Sequence, residues 1–188
     1  MTHSKIKVLA ISGSLRSGSY NSGLITAFQA ASHDELNVTI YRGTAELPFF
    51  DQDLEGENIP ASVLALTDAI RNADAVVIST PEYSGSIPGV LKNLIDWASR
   101  PYGASPFAGK PTAVLGASPS PYGAQRSQEQ LVAVLNAIGA QVLGDVHPVG
   151  PATELFDDTG SLTSSEVQTT LRDIASDIES AVLIPALA

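Results

Sequence analysis

Cysteine does not occur in the 188 residues, which excludes disulfide staples, thiol nucleophiles and thiolate metal ligands. Positive charge is scarce. Ten Lys and Arg stand against 20 Asp and Glu, a formal net charge of −10 and a pI near 4.5. Such a surface repels phosphate backbones, whose affinity comes from neutralisation by Lys and Arg, so nucleic acid is not an expected partner. Charged residues of both signs make up only 16% of the chain, against a usual share of about 25%. With 44% hydrophobic residues this is the opposite of a disordered composition. Long apolar runs are also lacking. The stretch IKVLAI at 6–11 falls far short of the roughly 18 residues of a membrane span. The AVLIPALA segment at 181–188 is as short and is broken by Pro185. Two lysines flank the start of the first run, but no small-residue cleavage site closes it, so a soluble, cytoplasmic protein is expected. The histidines (His3, His33 and His147) are isolated, without ligand spacing, and no metal is expected.

What remains is enough for one domain over 1–188, since roughly 100–200 residues is the usual domain size and a chain of this length buries about 70% of its unfolded surface. Short apolar runs alternate with segments of helical period. The runs are Lys5–Ile11, Leu36–Arg42, Asp74–Thr80, Pro111–Ala117 and Gln141–His147. Continuous stretches such as AVVI suit strands buried on both faces. Between and after them, apolar residues recur three or four apart: Leu24, Ile25, Phe28, Ala31; Val63, Leu66, Ile70; Leu91, Leu94, Ile95, Ala98; Leu131, Val134, Leu135, Ile138; and Val167, Leu171, Ile174, Ile178, Val182. This alternation predicts an α/β three-layer sandwich, a parallel sheet with helices on both faces. Five strands match the flavodoxin-like order 2-1-3-4-5 better than the six-stranded dinucleotide fold.

Ligands of such sheets bind beyond the carboxyl ends of the strands. After strand one comes SGSLRSGSYNS, Ser12–Ser22. Gly13 and Gly18 allow backbone amides to converge ahead of a helix N-terminus, a geometry that favours an anion. Ser14, Ser17, Ser19, Ser22, Asn21 and Arg16 add side-chain donors, enough for one compact phosphate. The P-loop pattern fails because position 19 is Ser instead of Lys, and G-x-G-x-x-G fails because position 15 is Leu. The bland alternative is a Ser-rich turn with Asn21 capping the helix. After strand three comes PEYSGSIPGVLKNLIDW, Pro81–Trp97. Pro81 restricts the turn, Gly85 permits a close backbone approach, and Tyr83 offers an aromatic face and a hydroxyl. Ser86 is the expected helix cap, with Pro88 in the first turn. The loop's backbone amides suit the edge of a planar heterocycle. Glu82 is either an acid–base group or a brace for the loop.

The two segments GSLRSGSYNS (13–22) and PEYSGSIPGVLKNLIDW (81–97) together resemble the NADPH-dependent FMN reductase family, which includes quinone, azo-dye and chromate reductases. The five-strand pattern extends the resemblance over nearly the whole chain. The resemblance implies that FMN is bound, with its phosphate on Ser14, Arg16, Ser19, Asn21 and Ser22. It implies that Pro81, Glu82, Tyr83, Ser84, Gly85 and Ser86 border the isoalloxazine ring. It places the loop after strand four on the ring's other side, through Ser118, Tyr122 and Gly123. Where the family often carries Asn after the Tyr, this chain has Ser84. Arg126, at the start of the next helix, is either a contact for a nicotinamide nucleotide's phosphate, a subunit contact or a solvated surface charge.

The implied function is an NAD(P)H oxidoreductase that passes hydride from NADPH or NADH through FMN to a quinone, azo compound, free flavin or chromate. No side chain need act as a nucleophile, and the chain offers no nucleophile–base pair. The alternatives are a flavodoxin-type electron carrier without its own NAD(P)H turnover and a flavin-free ligand sensor on the same fold. A homodimer or homotetramer is expected, because apolar Phe49 and Phe50 sit together in the long loop Gly43–Asn58 and the resemblance implies subunits that complete each other's flavin sites. Asp51–Gly56 imitates the opening of a calcium loop, but position 12 of that loop is Ser62 in place of the bidentate Glu, so calcium is not expected.

Overall fold

A computed structural model describes residues 4–32 and 36–183; His3, His33 and Pro185 lie outside them. The elements are β1 (Ile6–Ser12), α1 (Tyr20–Ala31), β2 (Leu36–Tyr41), α2 (Ala61–Asn72), β3 (Ala75–Ser79), α3 (Gly89–Ala98), β4 (Pro111–Ala117), α4 (Gln125–Ala137), β5 (Gln141–Val142), β6 (His147–Val149), α5 (Ala152–Leu155) and α6 (Ser165–Leu183). The strands are all parallel, in the order β2-β1-β3-β4-β5, and β6 also pairs with β4. This is the expected flavodoxin-like sandwich.

Alternation along each strand builds the two cores. Val8, Ala10, Val77 and Leu115 face α1 and α6, meeting Leu24, Phe28, Leu171 and Ile174. Their neighbours Leu9, Ile11, Val76, Ile78 and Val114 point the other way, onto α2, α3 and α4 through Val63, Leu66, Leu91, Leu94, Leu131 and Leu135. Successive Cβ atoms of a strand alternate between faces, so a strand buried on both sides is apolar except where a polar side chain finds a partner, as Ser79 does with Asn21 and Thr112 with Lys110 O. Every residue of β3 and of β4 is buried.

The fifth strand departs from the expected run at 141–147. Gln141 and Val142 pair with Pro111 and Thr112; the chain then leaves the sheet and returns as β6, pairing His147–Val149 with Leu115–Ala117. Gly144 lies between the two pieces with φ 60°, a left-handed conformation that breaks a strand and that glycine adopts at little cost. Gln128, buried in α4, bonds the strand on resumption: His147 N–H donates to Gln128 Oε1 at 2.9 Å, and Gln128 Nε2 donates to Gly123 O at 2.9 Å. Burial pushes the His147 imidazole below its ordinary pKa, against the upward pull of Asp177 and Asp145.

The loop after β2 holds three 3-10 turns, at Thr44–Glu46, Gln52–Leu54 and Gly56–Asn58. It is pinned to α3. Pro48 O accepts from Asn93 Nδ2 at 2.9 Å and from Trp97 Nε1 at 2.8 Å, and Phe50 N–H donates to Asn93 Oδ1 at 2.7 Å. The Phe50 ring meets Trp97 edge-on at 4.9 Å, with the Arg100 guanidinium over its face and Glu55 3.4 Å from Arg100. Phe49 and Phe50 therefore part company: Phe50 is packed, while Phe49 is 88% exposed. Asp51 and Glu55 serve this loop internally, Asp51 by accepting from Asp53 N–H at 3.0 Å and Glu55 through Arg100.

Candidate functional site

Three loops meet at the carboxyl ends of β1, β3 and β4. In the first, Gly13 N–H donates to Ser79 O at 2.7 Å. A Cβ at Gly13 would lie 2.9 Å from Leu91 Cδ2 and 3.2 Å from Ser79 O, so glycine lets the loop lie flat on the end of β3. Ser12 Oγ and Ser22 Oγ share a hydrogen bond at 3.0 Å, Ser14 N–H donates to Ser12 Oγ at 3.3 Å, and Arg16 N–H donates to Ser14 Oγ at 3.3 Å. Ser19 caps α1, accepting from Asn21 N–H at 3.2 Å. The cap is thus Ser19, and Asn21 lies inside the helix. The first turn of α1 directs its free amides to this loop. The Arg16 guanidinium lies 5.8 Å from the Tyr20 ring centroid and has no carboxylate partner among the described residues.

Asn21 has a different place from the other phosphate candidates. It is 2% exposed. Its Nδ2 donates to Ala117 O at 2.9 Å, and its Oδ1 accepts from Ala117 N–H at 2.9 Å and from Ser79 Oγ at 2.8 Å. The side chain joins the ends of β3 and β4 to the first turn of α1, which leaves Ser14, Arg16, Ser19 and Ser22 as the side chains at the loop itself.

The second loop is a two-residue hairpin. Tyr83 N–H donates to Ser86 O and Ser86 N–H to Tyr83 O, both at 3.1 Å. Ser84 and Gly85 between them have φ 53° and 72°, the pair of positive angles of a type I′ turn, where Asn-Gly is the preferred sequence. Ser84 holds that turn with a residue less suited to it, since αL is uncommon outside glycine. Ser86 is not the helix cap. Pro88 occupies the N-cap of α3 without a side-chain bond, because the hairpin already engages Ser86: its Oγ donates to Gln130 Oε1 at 2.8 Å, while Gln130 Nε2 donates to Gly85 O at 3.0 Å. Glu82 is a brace. Its Oε2 accepts from Ser127 N–H at 3.4 Å in the first turn of α4, whose own N-cap, Ala124, provides no side-chain acceptor. Thr80 adds a bond to Ser127 Oγ at 3.0 Å.

The third loop folds on its own serines. Ser120 N–H donates to Ser118 Oγ at 3.0 Å and Tyr122 N–H to Ser120 Oγ at 3.3 Å. Gly123, at φ 53°, lies so close to β6 that a Cβ would come within 2.4 Å of Val149 N. Tyr122 is 74% exposed and Tyr83 53% exposed. Arg126 is exposed in the first turn of α4.

Sequence reading missed Gln130, Ser127, Thr80 and Ser79. Each acts on a partner more than 40 residues away, and a lone polar residue in a helix or at a strand end carries no sign of that. The donor set fits a phosphate-bearing planar ligand. An unpaired guanidinium, hydroxyls and a helix N-terminus gather at one loop, and two aromatic-bearing loops beside it end adjacent strands.

The family model described as NADPH-dependent FMN reductase matches residues 6–154. An NAD(P)H-dependent FMN reductase of Pseudomonas aeruginosa is 39% identical over 170 residues, 87% of this chain and 88% of that one. An NAD(P)H:quinone oxidoreductase of Solanum tuberosum is 38% identical over 181 residues, 90% of this chain and 89% of that one. Among solved structures, the flavoenzyme NAD(P)H:(acceptor) oxidoreductase of Paracoccus denitrificans superposes with a TM-score of 0.83 at 34% identity, covering 93% of this chain and 98% of that one.

The Asn21 brace makes a specific prediction. Asn21→Ala leaves the Ala117 amide and carbonyl and the Ser79 hydroxyl buried without their partner, at about 1–3 kcal/mol for each unsatisfied group. Urea unfolding should show a loss of at least about 3 kcal/mol. Affinity for FMN and for riboflavin should fall together; a loss confined to FMN would make Asn21 a phosphate ligand instead.

Proposed function

The chain belongs to the NADPH-dependent FMN reductase family, and on that premise we propose that it binds FMN across its three loops and reduces quinones, azo compounds, free flavin or chromate at the expense of NADPH or NADH. It is an NAD(P)H-dependent flavin oxidoreductase, as the relatives' names and extent of match support. The observation that favours a flavin over a flavin-free sensor is the unpaired Arg16 in the loop ahead of α1, with the Tyr83–Ser86 hairpin at the end of the adjacent strand β3. The electron-carrier alternative has no such support from the relatives, which are named as reductases and oxidoreductases.

FMN, when bound, would supply the hydride- and electron-transfer chemistry. The chain's own residues bind and orient. Ser14, Arg16, Ser19, Ser22 and the first amides of α1 hold the phosphate by charge-assisted hydrogen bonds. Asn21 positions that loop against β3 and β4. Pro81, Glu82, Tyr83, Ser84, Gly85 and Ser86 form one border of the ring, with Glu82 and Ser86 acting through α4. Ser118, Tyr122 and Gly123 form the other. The exposed Tyr83 and Tyr122 leave space at the site for donor and acceptor in turn. Among the described residues no helix is long and apolar enough to cross a membrane; a cytoplasmic location belongs to the same proposal.

Exposed Phe49, held out by the anchored Phe50 beside it, supports a homodimer or homotetramer. Sedimentation at micromolar concentration should show no monomer; a monomer refutes the assembly.

Turnover is tested with the flavin-loaded protein, both nucleotides, and a panel of quinones, azo dyes and chromate. Double-reciprocal plots should be parallel, because one site serves donor and acceptor alternately. Intersecting lines count against that order, and no oxidation of either nucleotide returns the reading to the electron carrier.

Arg16→Ala should weaken FMN binding roughly ten- to a hundredfold, since a charge-assisted bond contributes about 1.5–3 kcal/mol and ~1.4 kcal/mol is tenfold in affinity. Riboflavin, without the phosphate, should bind as before, and circular dichroism should not change. Equal weakening of riboflavin would remove the phosphate from this loop.

A further inference from the structure

Arg42 follows the last residue of β2 and belongs to neither of the loop motifs. It lines the same cleft as Arg16, a space of about 390 Å³ on the β2 side of the first loop, with Ser14, Ser22 and Thr44 also in its wall. Acidic residues outnumber basic ones by two to one in this chain, and Arg71, Lys92 and Arg100 each have a carboxylate partner. Arg16, Arg42, Arg126 and Arg172 have none among the described residues; of these, Arg16 and Arg42 line the same cleft, and neither side chain makes a hydrogen bond. Tyr41, in the same wall, has its hydroxyl pushed above the ordinary tyrosine pKa by burial and by nearby Glu46, so it stays a neutral donor at physiological pH.

Arg16 and Arg42 are both exposed and line one small cleft, so an anion entering it meets two cations. We infer that Arg42 and Arg16 together form a phosphomonoester site. A phosphomonoester carries close to two negative charges near pH 7, so two cations match it in charge, and guanidinium groups match its oxygens in geometry. The inference rests on the flavin reductase reading and adds to it a residue and a charge count. Two ligands of that reaction carry such a group: FMN at its 5′ end, which Arg16 holds in that reading, and NADPH at its adenosine 2′ position, where NADH has a hydroxyl. The second would leave Arg16 to the FMN and make Arg42 by itself the determinant of nucleotide preference.

The test uses Arg42→Gln and Arg42→Lys beside the wild type, with melting temperature as the control for folding. Apoprotein is titrated with FMN and with riboflavin by flavin fluorescence quenching. KM for NADPH and for NADH is measured on the flavin-loaded protein. Arg42→Gln should lose ten- to a hundredfold toward the phosphate-bearing member of one pair and not toward its counterpart, with Arg42→Lys recovering part of the loss. A loss for FMN but not riboflavin assigns the cleft to the cofactor. A rise in KM for NADPH but not NADH assigns it to the 2′-phosphate. Wild-type protein that binds FMN, with variants that match it in both pairs or lose equally within each pair, overturns the inference alone. Wild-type protein that binds neither flavin overturns the flavin reading and the inference with it.

Discussion

The bidentate bond between Asn21 and the backbone of Ala117, extended to the Ser79 hydroxyl, is the constraint on which the site depends. Three chain segments that end near one another would otherwise expose unpaired amides and carbonyls. One side chain satisfies them and in doing so sets where α1 begins relative to β3 and β4. The first loop is then held from two directions, by Ser19 at the cap of α1 and by Gly13 flat against Ser79. Buried polar groups in a low-dielectric interior are costly when half-satisfied and rigid when complete. This one is complete, so the loop's donors are fixed before any ligand arrives.

The Tyr83–Ser86 hairpin and the loop after β4 rely on a second set of distant contacts, all from α4. Gln130 holds Gly85 and Ser86, Ser127 holds Glu82 and Thr80, and Gln128 holds Gly123 and the start of β6. The same helix therefore supports the loops after β3 and β4 and the interrupted fifth strand. Glu82 gains a structural role from this arrangement: a carboxylate at the start of α4 is favoured by the helix dipole and by the amides exposed there. That helix has no cap of its own, so the carboxylate serves hairpin and helix at once.

Charge distribution explains why so few cations suffice. In a chain of net charge −10, two of the six arginines have a carboxylate partner among the described residues, Arg71 with Asp68 and Arg100 with Glu55. Arg16 and Arg42 remain unpaired on one cleft. The acidic background gives free anions little to bind elsewhere and concentrates the attraction at that position.

Sequence by itself determined the architecture. The double burial of β3 and β4 demands near-continuous apolar runs, and the three-to-four spacing of Val63, Leu66 and Ile70 demands a helix; both are local consequences of backbone geometry. The loop after β1 stood out as the candidate anion site because glycines, hydroxyls and Arg16 are contiguous, and the Tyr83–Ser86 loop because its turn residues are adjacent. Tertiary structure alone decided which polar residues do the holding. Asn21 reads as a cap or a ligand until Ala117, 96 residues away, is brought beside it. Ser86 reads as a cap until Gln130 engages it. Arg42 reads as the end of a strand until it shares a cleft with Arg16. The break at Gly144 and the parting of Phe49 from Phe50 were hidden for the same reason. A hydrogen bond or a packed ring is specified by its partner, and partners distant in sequence are joined only when the sheet is complete.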